Sequence, residues 1–150
     1  MKGKRGKRGQ YLICAKKGLL RDRAWARTLK DYPTDLVCSI REQLLKKVPG
    51  LTEKFNTRCR YFGYWTGTDK DRAYIYVQKK DLRIDLCIGQ DSEADLNKAG
   101  FEVRFTNNFQ GQQCWLTGWR VPHNAKNINT VMTWLLKAFK EKRLVNAARK

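Results

Sequence analysis

AYIYVQKKDLRIDLCI, residues 73–88, decides the fold class. Ala73, Ile75 and Val77 alternate with Tyr74, Tyr76 and Gln78; beyond the corner, Leu82, Ile84, Leu86 and Ile88 alternate with Arg83, Asp85 and Cys87. A period of two sends alternate side chains to opposite sides of a pleated strand, so the stretch predicts two antiparallel strands joined at Lys79 to Asp81. One side of the pair is wholly apolar and needs a cover. The other side carries Tyr, Arg and Asp.

The same period extends outward. TRCRYF (57–62) reads as a preceding strand, joined through TGTDKD (66–71), which has hairpin composition. Phe101, Val103 and Phe105 share one side of a fourth strand opposite Glu102 and Arg104, and NNFQGQQ (107–113) turns into a fifth, CWLTGWRV (114–121). Gln90 to Gly100 is polar, with room for a short helical turn. Flanking the strands, the period changes to 3.6. Val37, Ile40, Leu44 and Val48 mark a helix that starts at Pro33-Thr34 and stops at Pro49-Gly50, and Ile128, Val131, Met132, Leu135, Ala138 and Phe139 mark another from about Asn127.

Strands bracketed by two helices predict an α+β fold. The expectation is an antiparallel sheet of about five strands in a meander, an N-terminal and a C-terminal helix on one face, and a basic N-terminal extension. The division expected is a basic arm and transitional segment at 1–33, one α+β domain at 34–145, and a basic tail at 146–150. Within the first segment, YLICA (11–15) can supply a strand and LLRDRAWARTLK (19–30) a helix whose Arg23, Arg27 and Lys30 form one stripe, with Trp25 and Leu29 on the far side.

The net charge of +18 over 150 residues exceeds what solubility requires and points to a polyanion, nucleic acid before an acidic membrane surface. It is unevenly placed: residues 1–30 carry +10, residues 137–150 carry +5, and the 106 residues between them only +3. In MKGKRGKRGQY (1–11), five cations are spaced by glycines, and no strand precedes or GK[ST] closes the run, so it is no phosphate loop. An address label remains an alternative for it. The five cysteines contain no CxxC pair, which argues for scattered thiols in a reducing compartment and against structural zinc. With no apolar run near ~20 residues, the expected location is cytoplasmic or nucleoid, nuclear or organellar in a eukaryote, with no membrane partner.

Catalytic residue types are sparse. His123 is the one histidine, the two serines lie outside a GxSxG elbow, and no (D/E)xK triplet occurs. Asp81 and Asp85, beside Lys79 and Lys80, are the nearest approach to a carboxylate pair for Mg²⁺. Ordinary turn and surface roles account for them better. Neither a cofactor nor a metal is expected.

The span from about Asp35 to Lys140, and most sharply VQKKDLRIDL (Val77–Leu86), resembles an uncharacterised small α+β domain family found at the C-termini of prokaryotic proteins labelled predicted transport or restriction-related proteins. Members carry a His-Trp-Gly-like turn before the fifth strand, where this chain has NNFQGQQCWLTGW. The resemblance implies the fold and no established activity.

The resulting expectation is a non-enzymatic nucleic-acid-binding protein, or a subunit of a nucleoprotein assembly. It would hold the RNA or DNA sugar-phosphate backbone through Lys2, Lys4, Arg5, Lys7, Arg8, Lys16, Lys17, Arg23, Arg27 and Lys30 at one end and Lys140 and Arg143 at the other. Arg58, Arg60, Lys79 and Lys80 are the candidates within the domain. Two alternatives stand beside it: a Mg²⁺-dependent nuclease using Asp81 and Asp85, and a protein-interaction module in a defence or ribonucleoprotein assembly.

Overall fold

The computed structural model of the chain describes residues 11–13, 25–67, 71–88, 91–98, 100–109, 113–126 and 128–140. In chain order the elements are β1 (Tyr11–Ile13), α1 (Asp35–Lys47), β2 (Leu51–Asn56), β3 (Tyr61–Thr66), β4 (Ala73–Val77), β5 (Asp81–Leu86), α2 (Asp91–Lys98), β6 (Arg104–Phe109), β7 (Gln113–Pro122) and α3 (Asn129–Lys140). All strands pair antiparallel in one sheet of order β1-β2-β3-β4-β5-β7-β6. The α+β architecture is as expected, with both long helices contributing to the core that covers one face.

The sheet is wider than about five strands. β1 occupies one edge, and TRCRYF resolves into a turn at 57–60 followed by β3, with β2 ahead of it. β2 escapes a reading by alternation because its core-facing positions are Leu51, Glu53 and Phe55, and the carboxylate interrupts the apolar series. Departing from a simple meander, β7 rather than β6 pairs with β5, so β6 takes the other edge.

Cross-strand register sorts the two faces. Phe55, Phe62, Ile75, Ile84 and Trp119 form one row across five strands, every one nearly or wholly inaccessible to solvent. Against this face pack Leu36, Val37, Ile40 and Leu44 of α1, and Val131, Met132, Leu135 and Ala138 of α3. Trp25 and Leu29 join the same core, so the packed unit begins before residue 34. Each such side chain, fully buried, contributes roughly 1.5–3 kcal/mol.

Two local devices keep the pattern in phase. Gly50 adopts φ +76 after the α1 terminus, where Val48 N–H still reaches Leu44 O at 2.9 Å, and so turns the chain directly into β2. On β7, Ile84 pairs with Trp119 but Leu86 pairs with Leu116, which leaves one extra residue on β7. Gly118 sits in this bulge at φ +89, and by spanning three residues instead of two it lets both Leu116 and Trp119 face the core.

Within the core, Arg41, Glu53 and Tyr64 form a closed polar triad. Arg41 of α1 donates from Nε and Nη2 to the two Glu53 oxygens, each at 2.8 Å, and Tyr64 Oη–H donates to Glu53 Oε2 at 2.6 Å. The Arg41 guanidinium also lies 4.7 Å from the Trp25 ring centroid and 5.0 Å from that of Phe62. Burial works against the Arg41 charge, but its hydrogen bonds and attraction to Glu53 prevail and raise its pKa; burial, reinforced by Glu53, raises that of Tyr64 and keeps the phenol protonated as a donor. Removing one partner of such a pair strands the other charge, so Glu53→Ala is expected to lower unfolding free energy by about 3–5 kcal/mol. In urea titrations, an apolar triple replacement at Arg41, Glu53 and Tyr64 should recover much of that loss.

Candidate nucleic-acid interface

The turns at 57–60 and 78–80 leave the sheet at the same end, because each follows a strand running in the same direction. Asn56 shapes the first: its Oδ1 accepts the backbone N–H groups of Arg58 at 3.0 Å and Cys59 at 2.7 Å, and its carbonyl accepts that of Arg60 at 2.8 Å. Arg60 is held at φ +60, the left-handed region, and its carbonyl accepts Val77 N–H at 2.9 Å, stitching this turn to the end of β4.

Tyr32 then joins the two turns. The Arg60 guanidinium lies 5.1 Å from its ring centroid and Lys79 Nζ lies 4.5 Å from it, while Nζ also donates to Asp31 O at 2.9 Å. His123 Nε2–H donates to Gln78 O at 2.6 Å and ties the segment ahead of α3 to the same corner. A carbonyl only accepts, so this bond fixes the tautomer. With Arg58, Lys79 and Lys80 exposed, the structure thus gathers the four candidate cations of the domain, Arg58, Arg60, Lys79 and Lys80, at one end of the sheet.

The remaining candidates divide. Arg27 and Lys30 are exposed, opposite the buried Trp25 and Leu29 as expected, although the described backbone there consists of hydrogen-bonded turns after Trp25. Lys140 closes α3 at the far end of the sheet, where Arg72 Nη1, just ahead of β4, donates to Ala138 O at 3.3 Å. Lys2, Lys4, Arg5, Lys7, Arg8, Lys16, Lys17, Arg23 and Arg143 lie outside the described residues.

On the face away from α1 and α3, register places Asn56, Tyr61, Tyr76, Arg83 and Arg120 in one row across β2, β3, β4, β5 and β7. The expected mixture of aromatics and Arg is present, but most of the aromatics are occupied with one another. Tyr74 and Trp115 stack with ring planes 6° apart and centroids at 4.9 Å, and both are buried, so neither offers a ring face to a base. Gly63, paired with Tyr74 across β3 and β4, leaves room for that ring: a Cβ there would lie 3.1 Å from the Tyr74 ring and 2.9 Å from Lys54 Cε. Tyr76 remains partly open, with the Arg83 guanidinium 3.9 Å from its centroid.

Beside this pair runs a groove of about 890 Å³, lined by Tyr76, the cations Arg83, Arg104 and Arg120, and the carboxylates Asp85 and Glu102. The Asp85 side chain is 3% exposed and lines it; Oδ1 accepts Gly118 N–H at 3.2 Å, and Oδ2 faces Arg83 Nη2 at 3.4 Å. Arg120 reaches Asp81 only at 3.4 Å and is 63% exposed. Sequence reading passed over both Arg120 and Tyr32. Arg120 reveals its side only through the bulge, and Tyr32 shows no periodicity beside Pro33.

Asp81 and Asp85 do not converge. Four residues apart on a strand, their Cα atoms are separated by about 13 Å, and each carboxylate faces a different arginine. Among the described residues no group of three or more His, Cys, Asp or Glu side chains could hold a metal ion, and no helix is long and apolar enough to cross a membrane. Described thiols vary in setting: Cys87 is buried, Cys38 half-buried and Cys59 exposed. No family model, curated protein or solved structure matches the chain.

Burial raises the Asp85 pKa against the opposing pull of Arg83 and the Gly118 N–H. A carboxyl whose folded pKa is raised weakens the folded state once ionised, so its cost sets in as pH rises from the ordinary carboxyl range through the raised value. Asp85→Asn should therefore gain stability relative to wild type at pH 7, an advantage that shrinks toward pH 3 in paired thermal melts.

Proposed function

We propose that the protein is a non-enzymatic nucleic-acid-binding protein that holds the sugar-phosphate backbone, with the corner formed by Arg58, Arg60, Lys79 and Lys80 as the contact surface of the domain and the cationic terminal segments adding reach. The observation that carries this reading is the convergence of those four cations, supplied by two separate turns, in a chain of net charge +18. Phosphate contacts of this kind position a protein on a strand without reading its sequence.

The corner divides its labour. Arg60 and Lys79 hold Tyr32 and so keep the turns in place, whereas the exposed Arg58 and Lys80 are available to phosphates. Each cation engaged with a duplex phosphate adds about 0.9 to the slope of log affinity against log salt. The double variant Arg58→Ala/Lys80→Ala should therefore bind a labelled duplex more weakly than wild type and flatten that slope by about 2, while deletion of residues 1–10 flattens it further. Fluorescence anisotropy over a salt series measures both. Identical slopes for all three proteins would falsify the reading, and retention of a protein partner after nuclease treatment would favour an interaction module.

A further inference from the structure

The groove on the uncovered sheet face has a charge arrangement that the fold does not need. Arg83 and Arg120 are direct cross-strand partners of β5 and β7, on the same face. Like charges in that relation oppose strand pairing. Their carboxylate contacts, Arg83 to Asp85 and Arg120 to Asp81, are both long, at 3.4 Å. Arg83 Nε is buried with no hydrogen-bond partner among the described residues. Arg104, on β6 opposite Thr117 of β7, adds a third guanidinium to the same cavity.

Three guanidiniums line one cavity, the contacts of two of them to Asp85 and Asp81 are long, and Arg83 Nε has no partner among the described residues; such a set suits an oxyanion with several acceptor oxygens, above all a phosphate. The Arg83–Tyr76 stack in the cavity wall is a flat cationic surface of the kind on which unpaired bases lie. A volume of about 890 Å³ falls within the range of small-ligand sites. A duplex keeps its bases stacked inward and cannot offer one to this stack; a single strand can.

We propose that this groove seats one nucleotide of a single-stranded nucleic acid, its phosphate among Arg83, Arg104 and Arg120 and its base against the Arg83–Tyr76 stack. The inference rests on the nucleic-acid-binding reading and deepens it: the turn corner grips backbone of any form, and the groove prefers unpaired strand.

The test compares wild type, the corner variant Arg58→Ala/Lys80→Ala and the groove variant Arg104→Ala/Arg120→Ala on a labelled single-stranded 12-mer and on the same sequence as duplex. Both groove substitutions are at exposed positions, and since Arg120→Ala removes a like-charge cross-strand pair, thermal melts should lie no lower than wild type. The groove variant is expected to lose tenfold or more in affinity for the strand and less than threefold for the duplex, while the corner variant weakens on both. Equal strand affinity for wild type and groove variant overturns the nucleotide seat and leaves the backbone-binding reading standing. Absence of wild-type binding to either form overturns both. As a further arm, a nucleoside monophosphate should displace the strand better than inorganic phosphate at equal concentration, and Tyr76→Leu should remove that difference. Equal displacement of the strand from wild type by the two means an anion seat only and rejects the base contact.

Discussion

The buried Arg41–Glu53–Tyr64 triad is the constraint on which the relation between helix and sheet depends. Apolar contacts alone leave α1 free to slide or rotate by small amounts over the sheet, since dispersion has little directional preference. A bidentate pair at 2.8 Å does not allow that freedom. Arg41 belongs to α1, Glu53 to β2 and Tyr64 to β3, so one set of hydrogen bonds fixes the helix, the strand that follows it and the next strand. Because Trp25 packs against the Arg41 guanidinium, the segment ahead of α1 is registered to the same point, and from there the chain runs through Asp31 and Tyr32 to the basic corner.

Much of this architecture could be read from residues 73–88. Their strict alternation gave both strands, the corner and the correct inward set, since Ile75, Leu82, Ile84, Leu86 and Ile88 all enter the core. Where alternation failed, a polar group had a partner distant in sequence. Glu53 spoils the pattern of β2, and nothing local announces that Arg41, twelve residues earlier, will neutralise it. Similarly, the sequence indicates the strand nature of residues 114–121 but not which neighbour they join, because strand order depends on where the chain between β5 and β6 carries the final hairpin.

The candidate site was legible in part, for a related reason. Arg58, Arg60, Lys79 and Lys80 are visible as turn cations, and antiparallel connectivity alone brings the two turns to one end. The groove was less accessible. Its arginines come from β5, β6 and β7, and their grouping needs the inverted hairpin that puts β7 between the other two. Only packing tells the aromatics of the open face apart. Tyr74 and Trp115 have the composition of a base-stacking surface, yet they spend their faces on one another, and Tyr76 with Arg83 is what remains.

Gly118 imposes a parity rule on this chain. Along β7 the inward and outward identities on either side of the bulge are offset by one step, so with three residues separating them Leu116 and Trp119 both face the core only while the bulge takes up the extra one. Flattening the bulge into regular pairing at the same chain length would act as a structural frameshift, sending Trp119 outward and Arg120 into the apolar row while leaving composition untouched. The phase of β7 thus rests on a backbone conformation at Gly118, φ +89, that other residues rarely adopt.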